Sequence, residues 1–252
     1  MRLTILGSGT AAPNGSRNSA GYFVETADAS VMLDCGAGTV HALARYGLPW
    51  ERMTHLFVSH FHVDHIGELA SLFFAFKWGR EVDRDRAITV IGPHGLDQIM
   101  DGLDRTLGPR LFEPGFPVDV ALLNPGERLS LSPEVTLAVA KTPHTRESLA
   151  ARIESRGRSI CYTGDTGYSD ELADFFRGAD LLVSECSFLE KREGVAHLSV
   201  DEVAAMAERA AVARLVVTHF YFPADDRMLH ARIRNNYSGE VIVGTDGAQF
   251  EL

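Results

Sequence analysis

Four metal-competent side chains fall within six consecutive positions of this chain, in a run from His60 to His65 that reads His-Phe-His-Val-Asp-His. An apolar, strand-like segment, 56–59, comes directly before the run, which predicts a buried strand that delivers ligands at its carboxyl end. Imidazole and carboxylate ligands suit zinc, iron or manganese. Because one ion rarely takes four ligands from so short a stretch, the spacing favours two ions. His60 and His62 would face one ion, and Asp64 and His65 the other.

Composition limits the class of protein. The chain has 252 residues, 45% of them hydrophobic, which is enough for a substantial core, and we treat 1–252 as a single domain. We expect no membrane span and no signal peptide, because the apolar runs are short and the first residues resemble a strand. Three scattered cysteines, Cys35, Cys161 and Cys186, indicate reduced thiols and a cytoplasmic location. The net charge of −10 disfavours a broad nucleic-acid surface.

Strand-like runs alternate with helical patterns along the chain. The predicted strands are 3–6, 21–25, 31–33, 55–59, 88–91, 135–140, 149–153, 159–162, 181–184, 215–218 and 241–243. The predicted helices are 39–46, 66–78, 96–107, 170–176 and 199–211. Both halves are strand-rich, which favours an α/β layered sandwich of two sheets with helices outside.

Several predicted strands in the second half each lead to one metal-competent residue. These residues are His144, Asp165, Glu185 and His219. Ligands at strand ends from distant segments can converge along one sheet edge, so we expect these side chains to lie close together. His197, just before a predicted helix, is a further candidate. We interpret the remaining histidines as structural: His41, His55, His94 and His230.

Two glycine clusters, 7–9 and 36–38, each follow a predicted strand. They indicate tight turns with positive φ, or backbone N–H groups that approach an anion. The first is not a dinucleotide-binding fingerprint, because Pro13 follows and no helix opens there. We favour turns that place Asp34 near the predicted metal ligands.

The ordered ligand series resembles the metallo-β-lactamase superfamily of binuclear hydrolases, with further support from segments 33–38 and 162–166. The series is His60, His62, Asp64, His65, His144, Asp165 and His219. The resemblance implies an αββα sandwich, a four-layer α/β fold, with a binuclear site at the sheet edges. It assigns one ion to His60, His62 and His144, and the other to Asp64, His65 and His219. Asp165 bridges two divalent ions, expected to be zinc, with manganese and iron as alternatives.

Within that superfamily the chain is similar to the ribonuclease Z branch. Segment 7–18 resembles the opening of that branch, and segment 182–188 resembles its HEAT-F motif, although several letters differ. Glu185 then matches the glutamate of the motif, and His197 matches its downstream histidine partner. The same resemblance implies a homodimer, and the aromatic-rich helix 66–78 is a candidate contact.

Two departures from the branch concern the substrate. The residues 145–164, between His144 and Asp165, suffice for a simple hairpin, whereas the tRNA-processing enzymes carry a long arm there. After His219 the chain reads Phe-Tyr-Phe-Pro at 220–223, which indicates an apolar pocket wall. Both departures favour a substrate smaller than tRNA.

The favoured function is a metal-dependent phosphodiesterase that acts on a small or cyclic phosphodiester, an anionic ester, through a metal-bridging hydroxide. Asp64 is expected to orient or deprotonate the nucleophile. His197, held by Glu185, would stabilise the transition state or protonate the leaving oxygen. The alternatives are a ribonuclease Z-type RNA 3′-processing endonuclease, and an arylsulfatase or lactonase on the same site. A degenerate binding module and a flavodi-iron protein are less consistent with the complete ligand set.

Overall fold

Two seven-stranded sheets pack face to face in the computed structural model, which describes residues 1–81, 83–108, 110–223 and 225–252. The strands of the first sheet are β1 (Arg2–Gly7), β2 (Gly21–Glu25), β3 (Ser30–Leu33), β4 (His55–Phe57), β5 (Ile88–Gly92), β6 (Val118–Leu122) and β14 (Gln249–Glu251). Their order is β14-β1-β2-β3-β4-β5-β6, and β3 to β6 run parallel. The last strand therefore returns to the first sheet, beside β1.

The second sheet comes from the second half of the chain. Its strands are β7 (Arg128–Ser132), β8 (Val135–Lys141), β9 (Leu149–Ser155), β10 (Arg158–Tyr162), β11 (Leu181–Glu185), β12 (Arg214–Thr218) and β13 (Glu240–Val243). Their order is β13-β12-β11-β10-β9-β8-β7. Strands β10 to β13 are parallel, and β8 shares their direction because β9 is antiparallel to both of its neighbours. Four of these carboxyl ends, those of β8, β10, β11 and β12, therefore lie at one edge.

The described residues form seven α-helices, most of which pack on the outer faces of the two sheets. They are α1 (Thr39–Arg45), α2 (Val63–Ile66), α3 (Leu69–Trp78), α4 (Leu96–Leu107), α5 (Asp170–Phe175), α6 (Val200–Arg209) and α7 (Asp226–Ile233), with a 3₁₀ turn at Trp50–Arg52. Within the described ranges, none of these helices has the length and apolar character needed to cross a membrane.

Alternating side chains divide the core into three layers. On β3, Val31 and Leu33 face the second sheet, whereas Met32 packs under the helices of the first sheet. On β11, Leu181 faces the first sheet and Leu182 packs against the helices of the second. Because both faces of each central strand are buried, these strands have continuous apolar sequences. The arrangement confirms the predicted αββα sandwich.

The predicted helix 66–78 was wrong in its first turn, because the structure divides this segment into α2 and α3. The backbone N–H of Glu68 donates to the carbonyl of Cys35 at 2.9 Å instead of continuing the helix. The carboxylate of Glu68 also accepts from the backbone N–H of Val40 at 2.7 Å. The break lets α2 turn Asp64 and His65 inward while α3 packs on the sheet.

Candidate metal centre

The run that follows β4 forms one side of the candidate site. His60 lies in the loop after the strand and is fully buried, and His62 is the exposed residue that precedes α2. Asp64 and His65 lie in α2, both buried. Gly36 makes this approach possible, because a Cβ at that position would lie 2.1 Å from the carbonyl oxygen of Asp64. The second glycine cluster thus serves close packing beside the site.

The other side of the site comes from the edge of the second sheet, where parallel strands end. His144 follows β8, Asp165 follows β10, Glu185 ends β11, and His219 follows β12. His219 has a φ of 61°, which is uncommon for a non-glycine residue, and its backbone N–H donates to the carbonyl of Ser8 at 2.8 Å. The structure therefore brings together the strand-end residues that the sequence analysis selected.

The first group consists of His60, His62, His144 and Asp165, whose candidate ligand atoms all lie within 4.8 Å of one another. Nε2 of His144 lies 3.1 Å from Nδ1 of His62 and 3.8 Å from Oδ2 of Asp165. Nε2 of His60 lies 3.9 Å from the same Asp165 oxygen. The group thus aims three imidazoles and one carboxylate oxygen at a common point.

The second group consists of Asp64, His65, Asp165 and His219, again with ligand atoms within 4.8 Å of one another. Nε2 of His219 lies 3.3 Å from Oδ2 of Asp64 and 3.4 Å from Oδ1 of Asp165. Nε2 of His65 lies 3.2 Å from that Asp165 oxygen. Asp165 belongs to both groups, with Oδ2 towards the first and Oδ1 towards the second. These are the two groups that the sequence analysis assigned to two ions.

Three buried polar atoms in these groups make no hydrogen bond within the described structure: Nε2 of His60, Nε2 of His65 and Oδ1 of Asp165. Native proteins rarely leave buried polar atoms unpaired, so each one requires an explanation. All three are good ligand atoms for a transition metal and face the centre of the groups. The residues present therefore fit divalent metal ions.

Asp34 supports the site from behind. Its φ is 59°, and its buried carboxylate accepts hydrogen bonds from the backbone N–H of Ser59 at 2.7 Å and from the Ser59 hydroxyl at 2.7 Å. The hydroxyl of Tyr162 donates to Oδ2 at 2.6 Å, and Nδ1 of His65 lies 2.7 Å from the same oxygen. Asp34 therefore orients the His65 ring so that Nε2 faces the centre. The sequence analysis placed Asp34 near the ligands, but it included Tyr162 only within the segment 162–166 and gave it no role.

Glu185 and His197 form the pair that the HEAT-F resemblance implied. Nδ1 of His197 lies 2.9 Å from Oε1 of Glu185, whose carboxylate also accepts from the backbone N–H of Thr166 at 2.6 Å. The His197 ring is 4.8 Å from the ring of His144 and 5.9 Å from that of His219. The pair therefore lies beside both groups rather than within either one.

Charge and burial act in opposite directions at this site. Burial alone would raise the pKa of Asp165, but the imidazoles of His219 and His65 hold it well below its usual range. Burial disfavours a charged His65, yet the carboxylates of Asp165 and Asp34 raise its pKa well above the ordinary value. At His60, burial dominates and lowers the pKa, so that this imidazole stays neutral.

A neighbouring carboxylate also raises the pKa of His197. Burial opposes its charged form, but the hydrogen bond to Glu185 and the charge of that carboxylate outweigh burial. At His144, by contrast, burial lowers the pKa. The two neighbouring histidines are therefore biased towards different states, one suited to donating a proton and the other to binding a metal.

A cleft of about 660 Å³ opens beside His197. Its lining includes Tyr168, Lys191, Arg192 and Val195. Near the same mouth, Tyr221 is 42% exposed, and its ring lies 5.6 Å from that of His219 and 6.2 Å from that of His197.

The other aromatics of segment 220–223 do not line the cleft. Phe220 is buried in the core cluster under the second sheet, and Phe222 packs against it. The guanidinium of Arg17 lies 5.2 Å from the centre of the Phe220 ring and donates to the Ser8 hydroxyl at 2.7 Å. The predicted apolar wall is therefore reduced to Tyr221.

The four histidines interpreted as structural lie outside both groups. His41 and His94 are exposed, and His230 is partly buried in α7. Nδ1 of His55 lies 2.8 Å from the hydroxyl of Thr54, and burial lowers the pKa of His55 to about 4.

Comparison with known proteins relates this geometry to named families. Residues 1–230 match the family model described as Anti-Pycsar protein Apyc1. The probable metallo-hydrolase YhfI of Bacillus subtilis (strain 168) is 28% identical over 254 residues, covering 100% of both chains. Its crystal structure superimposes with a TM-score of 0.84 at 25% identity, over 99% of this chain and 98% of that one.

Two further relatives carry the ribonuclease Z name. The ribonuclease Z of Haloferax volcanii is 27% identical over 308 positions, covering 100% of this chain and 95% of the relative. The crystal structure of human tRNase Z, short form, superimposes with a TM-score of 0.81 at 23% identity over 100% of this chain and 99% of that one, which shows the shared fold. The chain therefore belongs to the Anti-Pycsar protein Apyc1 family and is a metal-dependent hydrolase of the metallo-β-lactamase fold.

Proposed function

We propose that this chain is a binuclear phosphodiesterase that hydrolyses a small or cyclic phosphodiester. The observation that carries the proposal is the position of His197, which lies beside both ligand groups and at the mouth of the 660 Å³ cleft. Pockets for small molecules typically have volumes of about 300–1,000 Å³. A diester centred between the two groups would therefore present its leaving oxygen to His197 and its substituent to the cleft.

The chain's own residues supply binding, orientation and proton transfer. Two divalent ions held by the two groups would supply Lewis-acid chemistry, lowering the pKa of water and offsetting the charge that grows on phosphorus oxygens. Asp64, with Oδ2 facing the second group, orients the attacking water and accepts its proton. His197 donates from Nε2 to the leaving oxygen, because its Nδ1 is engaged by Glu185.

The wall of the cleft carries charges of both signs. Lys191 and Arg192 bring positive charge to its wall, and carboxylates bring negative charge to the same wall, from Glu193, Asp201 and Glu202. Tyr221 offers an exposed aromatic face near the ligand histidines. The side chain of Lys191 lies 3.4 Å from a carboxylate oxygen of Glu202, and Arg192 lies over the Phe188 ring at 3.9 Å. The cleft wall is therefore mixed in charge on a chain with a net charge of −10, and the two divalent ions would supply most of the attraction for an anionic diester.

A ribonuclease Z activity is the second candidate, and the relatives of that name favour it. Against it, the residues between His144 and Asp165 form only the strands β9 and β10 with short turns. The alignment with the Haloferax relative covers 308 positions, whereas this chain has 252 residues, so the relative contains segments that this chain lacks. The guanidinium of Arg17, in the opening similar to that branch, is also engaged within the protein, since it donates to the hydroxyl of Ser8 and to the carbonyl of Gly244 at 2.5 Å.

A substrate panel tests the proposal. The metal-reconstituted chain would be assayed with bis(p-nitrophenyl) phosphate, cyclic nucleotides, a tRNA precursor with a 3′ trailer, an aryl sulfate and a lactone. We expect hydrolysis of the small diesters, with little turnover of the others. Faster removal of the tRNA trailer would support the ribonuclease Z candidate instead. Turnover of only the sulfate or the lactone would move the assignment to those ester classes.

Three finer features belong to the same proposal. We propose zinc as the ion, because five of the seven candidate ligands are histidines, which zinc favours. We propose a homodimer, because α3 and the start of α2 expose large apolar side chains that a second copy could cover. Trp78 is 71% exposed, Phe74 59% and Val63 76%. We propose a cytoplasmic location, because all three cysteines are free and buried. Elemental analysis, light scattering in solution and cell fractionation test these features in turn.

A further inference from the structure

One buried hydroxyl joins the Glu185–His197 pair to a candidate metal ligand. The Oγ atom of Ser187 lies 2.6 Å from Oε2 of Glu185, 3.1 Å from Nδ1 of His219 and 3.3 Å from Nδ1 of His197. Ser187 is fully buried, two residues beyond the end of β11. The sequence analysis treated its position only as a departure from the HEAT-F motif, so its role was not predicted.

The number of protons on this hydroxyl decides the direction of the hydrogen bonds. Serine has one O–H proton to donate and two lone pairs that accept. An ionised carboxylate only accepts, so the proton of Ser187 goes to Glu185 at 2.6 Å. Towards both histidines Ser187 can therefore act only as an acceptor. His219 must then carry its proton on Nδ1, and a neutral His219 has an unprotonated Nε2.

That unprotonated nitrogen is the one that faces the second group. Nε2 of His219 lies 3.3 Å from Asp64 and 3.4 Å from Asp165, within the group described above. Hydrogen bonds to the other ring nitrogen generally fix the tautomer and orientation of a ligating histidine. Here the carboxylate of Glu185 acts on His197 directly and on His219 through Ser187.

We propose that Ser187 is a positioning residue that holds His219 in the Nδ1–H tautomer and so sets the affinity of the second group for its ion. The inference rests on the proposed binuclear centre. It assigns Glu185 two tasks, the orientation of His197 and the orientation of a metal ligand, which Ser187 connects. The Glu185 carboxylate accepts four hydrogen bonds, from Thr166, His197, Ser187 and Leu198, so it is well fixed for both tasks.

Metal affinity provides a readout that needs no substrate. Loss of a hydrogen-bond partner behind a ligand typically weakens metal binding about 10–100-fold. Ser187→Ala should therefore lower the affinity for one of the two ions by that factor and leave the affinity for the other unchanged. Competition with a chromogenic chelator measures both affinities. Ser187→Thr keeps a hydroxyl and should restore most of the affinity.

Ser184→Ala is the matched control. Ser184 is also fully buried and lies near the same end of β11. Its hydroxyl donates to the backbone carbonyl of Glu185 at 2.9 Å, whereas that of Ser187 donates to the Glu185 carboxylate and lies beside His219. We expect this variant to keep the affinity of the unmodified chain for both ions. An equal loss of affinity in the Ser184 and Ser187 variants would overturn the proposal, because it would reflect general disturbance of the strand end.

The tautomer can be observed directly in the unmodified protein. In a ¹⁵N-histidine NMR spectrum of the metal-free chain, recorded where the ring is neutral, we expect His219 to show a protonated Nδ1, with the assignment made by His219→Gln. A proton on Nε2 of His219 would overturn the proposal even if Ser187→Ala does not fold. Failure of the phosphodiester assignment would appear only in turnover, and failure of the metal centre would appear as absent binding in the unmodified chain.

Discussion

Two neighbouring buried tyrosines provide a sharp test of how the site is supported. Tyr162 of β10 and Tyr22 of β2 come from different sheets, and their ring centres are 4.9 Å apart. The Tyr162 hydroxyl donates to the Asp34 carboxylate at 2.6 Å, whereas the Tyr22 hydroxyl forms a bond of 2.8 Å with the hydroxyl of Thr218. Tyr162→Phe and Tyr22→Phe therefore remove the same atom from similar surroundings but break bonds of different kinds.

The difference in bond type sets the expected magnitudes. A hydrogen bond to a charged group contributes about 1.5–3 kcal/mol to stability, and one between neutral groups about 0.5–1.5 kcal/mol. In the Tyr162 variant the buried Asp34 carboxylate keeps its contacts with Ser59 and His65. Because it is not left without partners, we expect a loss of stability below the upper end of the range for a charged group. Tyr162→Phe should cost about 2 kcal/mol of unfolding free energy and Tyr22→Phe about 1 kcal/mol.

Urea denaturation of the metal-free and metal-loaded protein measures both quantities. The slope of unfolding free energy against urea should not change, because neither variant alters the surface exposed on unfolding. Tyr162→Phe should also reduce the stabilisation gained from metal, because Asp34 orients His65, whereas Tyr22→Phe should not. A Tyr22 variant that loses as much stability and metal response as the Tyr162 variant would refute this reasoning.

Three further predictions follow from particular contacts. His197→Gln should lower kcat about 10²–10⁴-fold, since proton transfer is lost, while elemental analysis should show unchanged metal content; a loss of metal would make His197 structural. Removal of metal with EDTA should lower the urea midpoint, and zinc should restore it, because buried ligand atoms of His60 and Asp165 otherwise stay unpaired; an unchanged midpoint in circular dichroism would contradict this. Ser199→Ala should cost about 0.5–2 kcal/mol in thermal unfolding, because Ser199 and Glu202 form the capping box of α6; Ser199→Asp should retain most of that stability.

The strand ends that build the site could be predicted from local sequence. Apolar β-prone runs that stop at His144, Asp165, Glu185 and His219 mark strands, and parallel strands end at one edge. The strands β6, β7 and β14 were not predicted. Most side chains of these strands are at least partly exposed, so their sequences lack the continuous apolar pattern of the central strands.

Contacts between distant segments could not be predicted in the same way. The Asp246 carboxylate accepts from the backbone N–H and the hydroxyl of Ser8, at 2.8 and 2.7 Å, across more than 200 residues of sequence. The carbonyl of Ser8 in turn accepts a hydrogen bond from the backbone N–H of His219. Nothing in the local pattern around Asp246 indicates this link, because it depends on where the C-terminal strand returns. The same holds for Tyr162 and Ser187, whose partners are set by the packing of the two sheets.

The number of divalent ions bound per chain tests the central claim most directly. The chain would be stripped with a chelator, reconstituted with zinc, dialysed, and analysed for metal and protein in the same sample. The two groups that share Asp165 predict about two ions per chain, falling to about one in a variant that lacks His62 and His144. Retention of no ion after reconstitution would contradict the assignment of all seven ligands, and with it the proposed chemistry.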